Sequence, residues 1–399
     1  MSKTIIIIGA GLAGLSAALQ AAENGCNVKL VSSLPSERAQ SVMAEGGINA
    51  ALNTKDENDS PEEHFTDTIK AACGLADPNA VWGMTQAAPE LVHWLLKLGV
   101  KFNMSGYDDV DLRNFGGQKK KRTAFAQSDT GKQIMTAMID AVRRKEASGM
   151  VERFSHHSCL TLRLCDNICC GCVIRDEYSQ ETVELPGDAV IVATGGMHGL
   201  FGNTTGSLSN TGEVTAELFR LGVPLANGEM IQYHPTTVKC GGKRMLISEA
   251  ARGEGGRLFA MKDGKQWYFM EEKYPELGNL MPRDITAREI WKVSHESEIF
   301  LDMTEISEEI ISNKLSGLAD DCMTYLHKDI RKEPVSVLPG IHYFMGGILV
   351  DEQHRTPIQN LCAAGECCAQ YHGANRLGGN SLLGALYGGR VAAKSACEQ

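Results

Sequence analysis

Residues 4–32 read Thr4-Ile-Ile-Ile-Ile-Gly-Ala-Gly-Leu-Ala-Gly-Leu-Ser-Ala-Ala-Leu-Gln-Ala-Ala-Glu-Asn-Gly-Cys-Asn-Val-Lys-Leu-Val-Ser32, and this stretch decides the fold. The isoleucine run is typical of a buried parallel strand. The alanine- and leucine-rich run that follows is a strong helix former, and a second strand is predicted over 27–31. Gly9, Gly11 and Gly14 therefore have G-x-G-x-x-G spacing between a strand and a helix, the context in which this pattern predicts a dinucleotide site.

These glycines are expected to form a tight turn that lets the backbone approach a pyrophosphate at the helix N-terminus. The acidic residue that commonly ends the second strand is missing, and Ser32 stands there with a hydroxyl that can bond the adenosine ribose. The same apolar run imitates a signal peptide or a membrane span. Because its glycines would be costly within one helix, we predict no direct membrane span.

Two further strand ends favour FAD over NAD. The run Asp188-Ala-Val-Ile-Val-Ala-Thr-Gly-Gly196 predicts a buried strand that places Ala193, Thr194 and Gly195 beside the nucleotide, and Asn360-Leu-Cys-Ala-Ala-Gly-Glu366 predicts another. Doubly wound sheets bind ligands at the carboxyl ends of their strands. We therefore predict an α/β fold with a Rossmann-like FAD-binding domain built on a parallel sheet.

Composition excludes several classes of protein. The chain has 399 residues, enough for two domains, and a formal net charge of -10, which argues against nucleic acid as a partner. Its 13 cysteines suit reduced thiols in a cytosolic protein. The run Cys165–Cys172 lacks a common zinc or iron–sulfur spacing and is predicted as two short strands joined by a turn, so no metal site is expected. Lys119-Lys-Lys-Arg122 is expected to be a solvated loop.

From Gln40 onward the sequence resembles the flavoprotein family of fumarate reductase, succinate dehydrogenase and L-aspartate oxidase. The resemblance follows the family's order and covers essentially the whole chain. The segments that carry it are Ala44-Glu-Gly-Gly-Ile-Asn-Ala-Ala51, Asn114-Phe-Gly-Gly117 with Arg122-Thr123, Gln232-Tyr-His-Pro-Thr236, Ser248-Glu-Ala-Ala-Arg-Gly-Glu-Gly-Gly256, Arg283-Asp-Ile-Thr-Ala-Arg288, His342-Tyr-Phe-Met-Gly-Gly347 and His372-Gly-Ala-Asn-Arg-Leu-Gly-Gly-Asn-Ser-Leu-Leu383.

This resemblance implies a domain organisation. An FAD-binding domain of residues 1–230 and 342–399 is expected, interrupted by an α+β capping domain of residues 231–341, with the active site between them. The helical C-terminal domain that family members often carry is expected to be absent, because the chain stops soon after Arg390.

The implied activity is that of a fumarate reductase flavoprotein, in which hydride passes from flavin N5 to fumarate and an arginine supplies the proton that completes succinate. A small dicarboxylate needs cations or donors at both ends. The residues implied for substrate binding are Phe115, His234, Ser248, His342 and Arg376, of which the planar fork of the arginine is the best carboxylate clamp.

For protonation, the resemblance implies Arg283 as the acid, with Glu249 and Arg252 as a relay. Their i, i+3 spacing would place the relay pair on one face of a helix. Without the family context, the same three residues are better explained as a structural ion-pair cluster.

On the cofactor side, the resemblance implies contacts over the whole length of FAD. Glu366 is expected at the ribityl chain, and a helix opening at Ser381, Leu382 and Leu383 beneath the flavin pyrimidine, where its N-terminus stabilises negative charge. The Ala44, Gly46 and Gly47 backbone is also expected to bind cofactor. Gln40 occupies the position of the histidine that attaches FAD covalently in respiratory members, so a non-covalent flavin is expected, which favours fumarate reduction or an oxidase over succinate oxidation.

Three alternatives stay open: an L-aspartate oxidase, a reductase of another unsaturated carboxylic acid, and an FAD-binding module without turnover. No second nucleotide fingerprint, haem motif or cluster pattern is visible in the sequence. Electrons are therefore expected from a separate donor protein, such as an iron–sulfur subunit, or from free reduced flavin. The chain is expected to be cytoplasmic, or associated with a membrane through partner subunits.

Overall fold

The computed structural model describes residues 2–107 and 109–399. Its strands are β1 (Thr4–Ile8), β2 (Asn27–Ser32), β3 (Ile48–Asn49), β4 (Leu112–Arg113), β5 (Thr123–Ala124), β6 (Val151–Ser155), β7 (His157–Cys165), β8 (Ile168–Asp176), β9 (Thr182–Pro186), β10 (Ala189–Val192), β11 (Leu225–Ala226), β12 (Ile231–Cys240), β13 (Lys243–Leu246), β14 (Arg257–Lys262), β15 (Lys265–Trp267), β16 (Ile299–Asp302), β17 (Val335–Ser336), β18 (Leu338–Phe344), β19 (Gly347–Ile348) and β20 (Leu361–Ala363).

The α-helices are α1 (Leu12–Glu23), α2 (Pro61–Ala71), α3 (Pro78–Lys97), α4 (Thr130–Ala147), α5 (Glu213–Arg220), α6 (Glu249–Gly253), α7 (Phe269–Lys273), α8 (Arg283–Val293), α9 (Glu308–Lys314), α10 (Ser316–Asp321) and α11 (Asn380–Glu398). Short 3₁₀ turns lie at Ser36–Arg38, Gln40–Met43, His198–Leu200 and Gly278–Leu280, and a π-helical turn at Cys322–Leu326. No helix in the described ranges is both long and apolar enough to cross a bilayer.

A parallel five-stranded sheet forms the centre of the molecule, in the order β20-β10-β1-β2-β6. The isoleucines of β1 are buried on both faces. Those at 5 and 7 pack on a core that includes α1, α3, α4 and α11, and those at 6 and 8 pack on the antiparallel sheet β7-β8-β9. The predicted α/β fold with a parallel sheet is confirmed, and the three predicted strand ends are neighbours.

A second core lies outside this layered unit. It is formed by the antiparallel sheet β15-β14-β16-β17 together with α7, α8, α9 and α10. The sheet β13-β12-β18 joins residues that come before and after this part of the chain. The α+β character expected for the middle of the chain is therefore present.

The cysteine-rich run forms the end of the β7–β8 hairpin. Asp166 and Asn167 at its tip have positive φ angles, as a two-residue hairpin turn requires. Cys169 is buried while Cys165 is exposed. Across the ranges that the structure describes, no three or more His, Cys, Asp or Glu side chains are grouped to hold a metal ion.

The basic run is not uniformly solvated, and the prediction for its last member is wrong. Lys119 and Lys121 are exposed, but Arg122 is fully buried. Its guanidinium lies 2.8 Å from an Asp59 carboxylate oxygen and 3.0 Å from one of Asp67. Two carboxylates that are distant in sequence compensate its charge, which allows burial.

Candidate active site

A long cleft of about 710 Å³ runs along the carboxyl edge of the parallel sheet, a size suited to a small-molecule ligand. Its wall comes from the turns after β1, β2, β10 and β20 and from the start of α11. Its far end reaches β12, β18 and the start of α8. The fold thus gathers distant parts of the chain around one elongated space.

The turn after β1 has the shape that a pyrophosphate needs. Gly9 has φ +113°, and an added Cβ there would overlap the carbonyl oxygen of Ala193. Gly11 lines the cleft and is the N-cap of α1, without a capping side chain of its own. The Leu12 amide donates to the Ser41 hydroxyl at 3.3 Å, and the amides of Ala13 and Gly14 are available to an anion. Gly14 does not line the cleft: it packs so closely on Gly9 that a Cβ would overlap the Gly9 carbonyl.

Two buried hydroxyl groups in the cleft wall make no hydrogen bond within the described chain. They belong to Ser32, at the end of β2, and Thr194, after β10. A buried polar atom without a partner is costly unless a ligand satisfies it. Together with the glycine turn, these groups fit the adenosine and pyrophosphate portion of FAD, so the residues present fit this cofactor.

Most of the predicted cofactor residues line this cleft. Those that do so are Gly9, Gly11, Ser32, Ala44, Gly46, Gly47, Ala193, Thr194, Gly195, Glu366, Ser381 and Leu382, together with Gln40. Leu383 is fully buried in the core and does not line it. Helix α11 begins at Asn380, and Ser381 and Leu382 in its first turn line the cleft.

Glu45 adds an unusual carboxyl group to this wall. Burial is the main cause that raises its pKa to about 8; Asp321 and Asp129 raise it further, and Arg113 opposes them. One of its oxygens is buried without a hydrogen-bond partner in the described residues. Arg113 instead donates to the backbone carbonyls of Glu45 and Gly46. This carboxyl is therefore largely protonated at neutral pH.

Arg376 is the outstanding charge at the far end of the cleft. Its side chain is 3% exposed, and no hydrogen bond or ion pair to its guanidinium exists in the chain as described; Nε is buried and unpartnered. The guanidinium carbon lies 4.4 Å from the centre of the Tyr343 ring. Burial, and then the charge of Arg283, lower the pKa of Arg376 to about 9. The group is still a cation at neutral pH and is available to an anionic ligand.

Arg283, at the first position of α8, is paired with other side chains and also lines the cleft. Its Nε donates to Glu249 Oε2 at 2.7 Å and its Nη1 to Gln232 Oε1 at 3.2 Å. Although burial disfavours the charged carboxyl of Glu249, Arg283 and Arg252 keep its pKa below the usual value. The Gly116 amide also donates to this carboxylate, at 2.8 Å.

Arg252 lies behind this pair and does not line the cleft. It donates to the Asn279 carbonyl at 2.6 Å and lies 3.8 Å from Glu249 within α6. Residues 249 and 252 share a helix face, as their spacing predicts. The three predicted members of the proton relay are therefore contiguous, and only Arg283 and Glu249 reach the cleft.

Two imidazoles complete this end of the site. The rings of His234 and His342 lie 5.1 Å apart in an edge-on arrangement, and both line the cleft. Burial, and then neighbouring positive or titratable groups, hold the pKa of each well below its ordinary value. Both are neutral at physiological pH and act as single hydrogen-bond donors.

Ser248 and Phe115 are the remaining predicted substrate residues, and both line the cleft. Ser248 is buried and precedes α6 as its N-cap. Phe115 fits between two glycines: an added Cβ on Gly46 would lie 3.0 Å from its ring and one on Gly378 2.8 Å. All five predicted substrate residues are thus brought to one end of the cleft.

Sequence reasoning missed several residues that support the site. Thr205 contacts His342, and His198 lies between Glu366 and Thr204, at 3.1 Å and 2.7 Å. No short-range pattern marks these positions. The only signal is their position in the chain, because they follow the predicted Ala-Thr-Gly-Gly strand end, which lies at the cleft.

Comparisons with known proteins agree with this geometry. A family model described as "FAD binding domain" matches residues 4–382. The succinate dehydrogenase flavoprotein subunit of Bacillus subtilis is 44% identical over 99% of this chain and 69% of its own length. The 8-methylmenaquinol:fumarate reductase flavoprotein subunit of Wolinella succinogenes is 34% identical over 99% of this chain and 65% of its own.

Among solved structures, a quinol fumarate reductase chain from E. coli superposes with a TM-score of 0.93 at 31% identity. The match covers all of this chain and 70% of that one. All segments that line the cleft lie within the part of the chain that this comparison covers.

Proposed function

Because this chain belongs to the FAD binding domain family, as an FAD-dependent oxidoreductase of the succinate dehydrogenase and fumarate reductase type, we propose that it reduces fumarate to succinate. The observation that carries the proposal is the unpaired, buried guanidinium of Arg376 at the far end of the cleft. A buried cation without a partner is strongly unfavourable, and a substrate carboxylate would compensate it with two parallel hydrogen bonds.

The charges around it favour an anionic ligand. Three buried arginines, at 252, 283 and 376, lie near Glu249, and the Glu366 carboxylate also acts on Arg376, so positive charges are in excess. The ligand proposed here carries two carboxylates. Arg376 would clamp the first, and Ser248 with the two neutral imidazoles would donate to the second.

Proton delivery is proposed to fall to Arg283. When bound, FAD supplies the hydride that reduces the substrate carbon–carbon double bond. Arg283 would give one of its protons to the substrate carbon at the cleft surface. Glu249, whose Oε2 lies 2.7 Å from Arg283 Nε, would then take up a proton that originates in solvent and pass it to Arg283. Arg252 stabilises the charge of that carboxylate from behind.

We further propose that the flavin is bound without a covalent link. Gln40 lines the cleft in the 3₁₀ turn after β2, and an amide side chain is not a nucleophile comparable to imidazole. Acid precipitation should release all flavin into the supernatant and leave no fluorescent band after denaturing electrophoresis. A fluorescent band would contradict this.

Electrons are proposed to arrive from a separate protein, such as an iron–sulfur subunit. The relatives in Bacillus and Wolinella are both named as flavoprotein subunits, which supports this assignment. The FAD-loaded chain should therefore show no steady reduction by NADH alone, yet accept electrons from reduced viologen.

The runner-up activity, L-aspartate oxidation, needs a group that binds the substrate amine. The nearest polar candidate in the 115–122 loop is Gln118, which is buried. Its side-chain amide donates to Asn49 Oδ1 and to the Gly378 carbonyl, both at 2.9 Å. This side chain is committed to the protein interior, which favours fumarate.

The decisive experiment reduces the FAD-loaded chain anaerobically, adds fumarate, and follows flavin reoxidation and succinate formation beside an assay with L-aspartate and oxygen. Rapid reoxidation with succinate, and no peroxide from aspartate, supports the proposal. Peroxide from aspartate without a response to fumarate would refute it in favour of the oxidase. Inactivity in both assays, with another unsaturated acid reduced, would refute the choice of fumarate alone.

A further inference from the structure

The loop after the 3₁₀ turn at His198–Leu200 brings a hydroxyl group to the back of one cleft imidazole. Thr205 is buried, and its Oγ1 lies 2.8 Å from Nδ1 of His342 on β18. The other ring nitrogen, Nε2, makes no hydrogen bond within the described residues, and the ring lines the cleft. Thr205 therefore contacts His342 from the side opposite any ligand.

The direction of this hydrogen bond follows from the other acceptor near the hydroxyl. The Ile341 carbonyl oxygen lies 3.4 Å from Thr205 Oγ1, beyond the usual 2.5–3.0 Å of an O–H···O bond. That carbonyl already accepts from the Thr205 backbone amide at 2.9 Å. The hydroxyl hydrogen is therefore directed to His342 Nδ1, which accepts it.

The consequence is a defined tautomer. A neutral imidazole carries one N–H, and the nitrogen that accepts a hydrogen bond is not the one that carries it. When Nδ1 of His342 accepts from Thr205, the proton resides on Nε2. This nitrogen is then a donor, as an acidic ligand requires.

His234 lacks an equivalent restraint. Its Nδ1 lies 3.1 Å from the Thr236 carbonyl and 3.3 Å from the Thr236 amide, so the backbone accommodates either tautomer. The Thr236 hydroxyl donates elsewhere, to the Ile247 carbonyl at 2.9 Å. Of the two imidazoles, only His342 has its proton position set by a side chain.

We propose that Thr205 is a positioning residue that holds His342 as the Nε2–H tautomer, so that this imidazole donates a hydrogen bond to one carboxylate of the substrate. The inference rests on the proposed function, because it takes a dicarboxylate as the ligand. The loop is well anchored for this role: the Thr204 hydroxyl contacts both the Ile341 carbonyl, at 3.1 Å, and His198, at 2.7 Å.

The test compares Thr205→Val with Thr205→Ser in the FAD-loaded chain. Valine keeps the β-branched shape and the backbone amide bond to residue 341 but has no hydroxyl, whereas serine keeps the hydroxyl. The first readout is the His342 tautomer, from long-range ¹H–¹⁵N correlation spectra of ¹⁵N-histidine-labelled protein, assigned with a His342→Gln variant. The second is the affinity for malonate, a non-reducible dicarboxylate, by calorimetry.

We expect the unsubstituted chain and Thr205→Ser to show the Nε2–H tautomer and malonate affinities within about twofold of each other. Thr205→Val should show a substantial Nδ1–H population and bind malonate about tenfold more weakly, equivalent to about 1.4 kcal/mol. If Thr205 had only a structural role, the affinity for malonate and the His342 tautomer would not change together in Thr205→Val and return together in Thr205→Ser.

Two results would overturn the proposal: an Nδ1–H tautomer in the unsubstituted chain, or an unchanged tautomer and affinity in Thr205→Val. If the tautomer responds as expected but malonate binds to none of the proteins, the positioning role is supported and the dicarboxylate function fails. If Thr205→Val does not retain FAD, Thr205→Ala poses the same question, with the same two readouts.

Discussion

Replacing Arg376 by methionine should stabilise the empty protein, or leave it unchanged, while it abolishes tight dicarboxylate binding. Methionine matches the length of the stem and packs well on an aromatic ring, so contact with Tyr343 is kept. The substitution removes a buried cation that has no carboxylate partner in the described residues. Loss of its stacking on the ring offsets part of this gain.

The magnitude follows from the two hydrogen bonds that a bidentate clamp would make. Each bond to a charged group is worth about 1.5 kcal/mol at the lower end, so losing both costs about 3 kcal/mol, or about 150-fold in affinity. Removal of the unpaired charge should raise the free energy of unfolding of the ligand-free protein by between zero and about 2 kcal/mol.

Ligand should therefore reverse the order of stability. At malonate concentrations about 100 times the dissociation constant of the unsubstituted chain, that chain gains about 2.7 kcal/mol, and Arg376→Met about 0.3 kcal/mol. Urea unfolding of the FAD-loaded proteins with and without malonate measures both quantities. Arg390→Met is the matched control, because Arg390 is also a basic residue of the same C-terminal segment but lies outside the cleft.

The reasoning is refuted if Arg376→Met retains FAD and binds malonate as tightly as the unsubstituted chain. It is equally refuted if Arg376→Met destabilises the ligand-free protein by about 2 kcal/mol or more, since the guanidinium would then have a compensating partner.

Three more predictions concern the cofactor turn, the buried carboxyl and the proton relay. Gly14→Ala should cost about 3 kcal/mol and lower the bound FAD per chain, since the new Cβ overlaps the Gly9 carbonyl; urea midpoints and flavin absorbance measure this. Glu45 keeps its proton in the folded chain up to about pH 8, whereas the unfolded chain loses it near pH 4.5, so stability should fall as pH rises between these values. Glu45→Gln should lack this fall, on the order of 4 kcal/mol, in unfolding experiments at pH 5 and pH 9. Arg283→Lys should retain FAD but lower fumarate turnover at least about 100-fold.

Two of these have a control of the same chemical type. Gly228→Ala introduces a Cβ with nothing within 4 Å, so a loss of stability equal to that of Gly14→Ala would contradict the overlap argument. Arg288→Lys alters an exposed arginine of the same helix, α8, and should leave turnover unchanged. Parallel pH profiles for Glu45→Gln and the unsubstituted chain would show that this carboxyl does not titrate as described.

The sequence predicted best what is encoded over short distances. The strand, glycine turn and helix of residues 4–23 follow from local apolar runs and glycine spacing, and the structure confirms them. The hairpin at Asp166 and Asn167 is similar, since alternate strand residues and a polar turn are local features. Arg122 shows the limit: it belongs to a basic run, yet Asp59 and Asp67 neutralise it from another part of the chain.

In the site, the substrate residues could be predicted because they lie in motifs, whereas the residues that support them were missed because their contacts are tertiary. Nothing near Thr205 in the sequence indicates that it will lie behind His342, which is 137 residues away. The same applies to Asn49, whose side-chain amide donates to the Gly378 carbonyl in a distant part of the chain. Hydrogen bonds of this kind depend on the relative placement of elements, which no periodicity encodes.

The placement of one short loop explains how Arg376 and the helix that faces the cofactor are held relative to each other. Arg376 and the first turn of α11 are separated by three residues, and the loop between them is fixed by buried amides. Asn49 Nδ2 donates to the Gly378 carbonyl and to Asn380 Oδ1, both at 2.7 Å, and Gln118 donates to the same carbonyl. A Cβ on Gly379 would overlap Asn49, so the loop cannot slide along it.

Because the loop is ordered before any ligand arrives, little conformational entropy is lost when a carboxylate binds, and the guanidinium keeps a constant position relative to the helix that faces the cofactor. Under the proposed function, a ligand with one carboxylate could satisfy Arg376 but not the opposite end, so the fixed position of this loop would help the site to select a dicarboxylate.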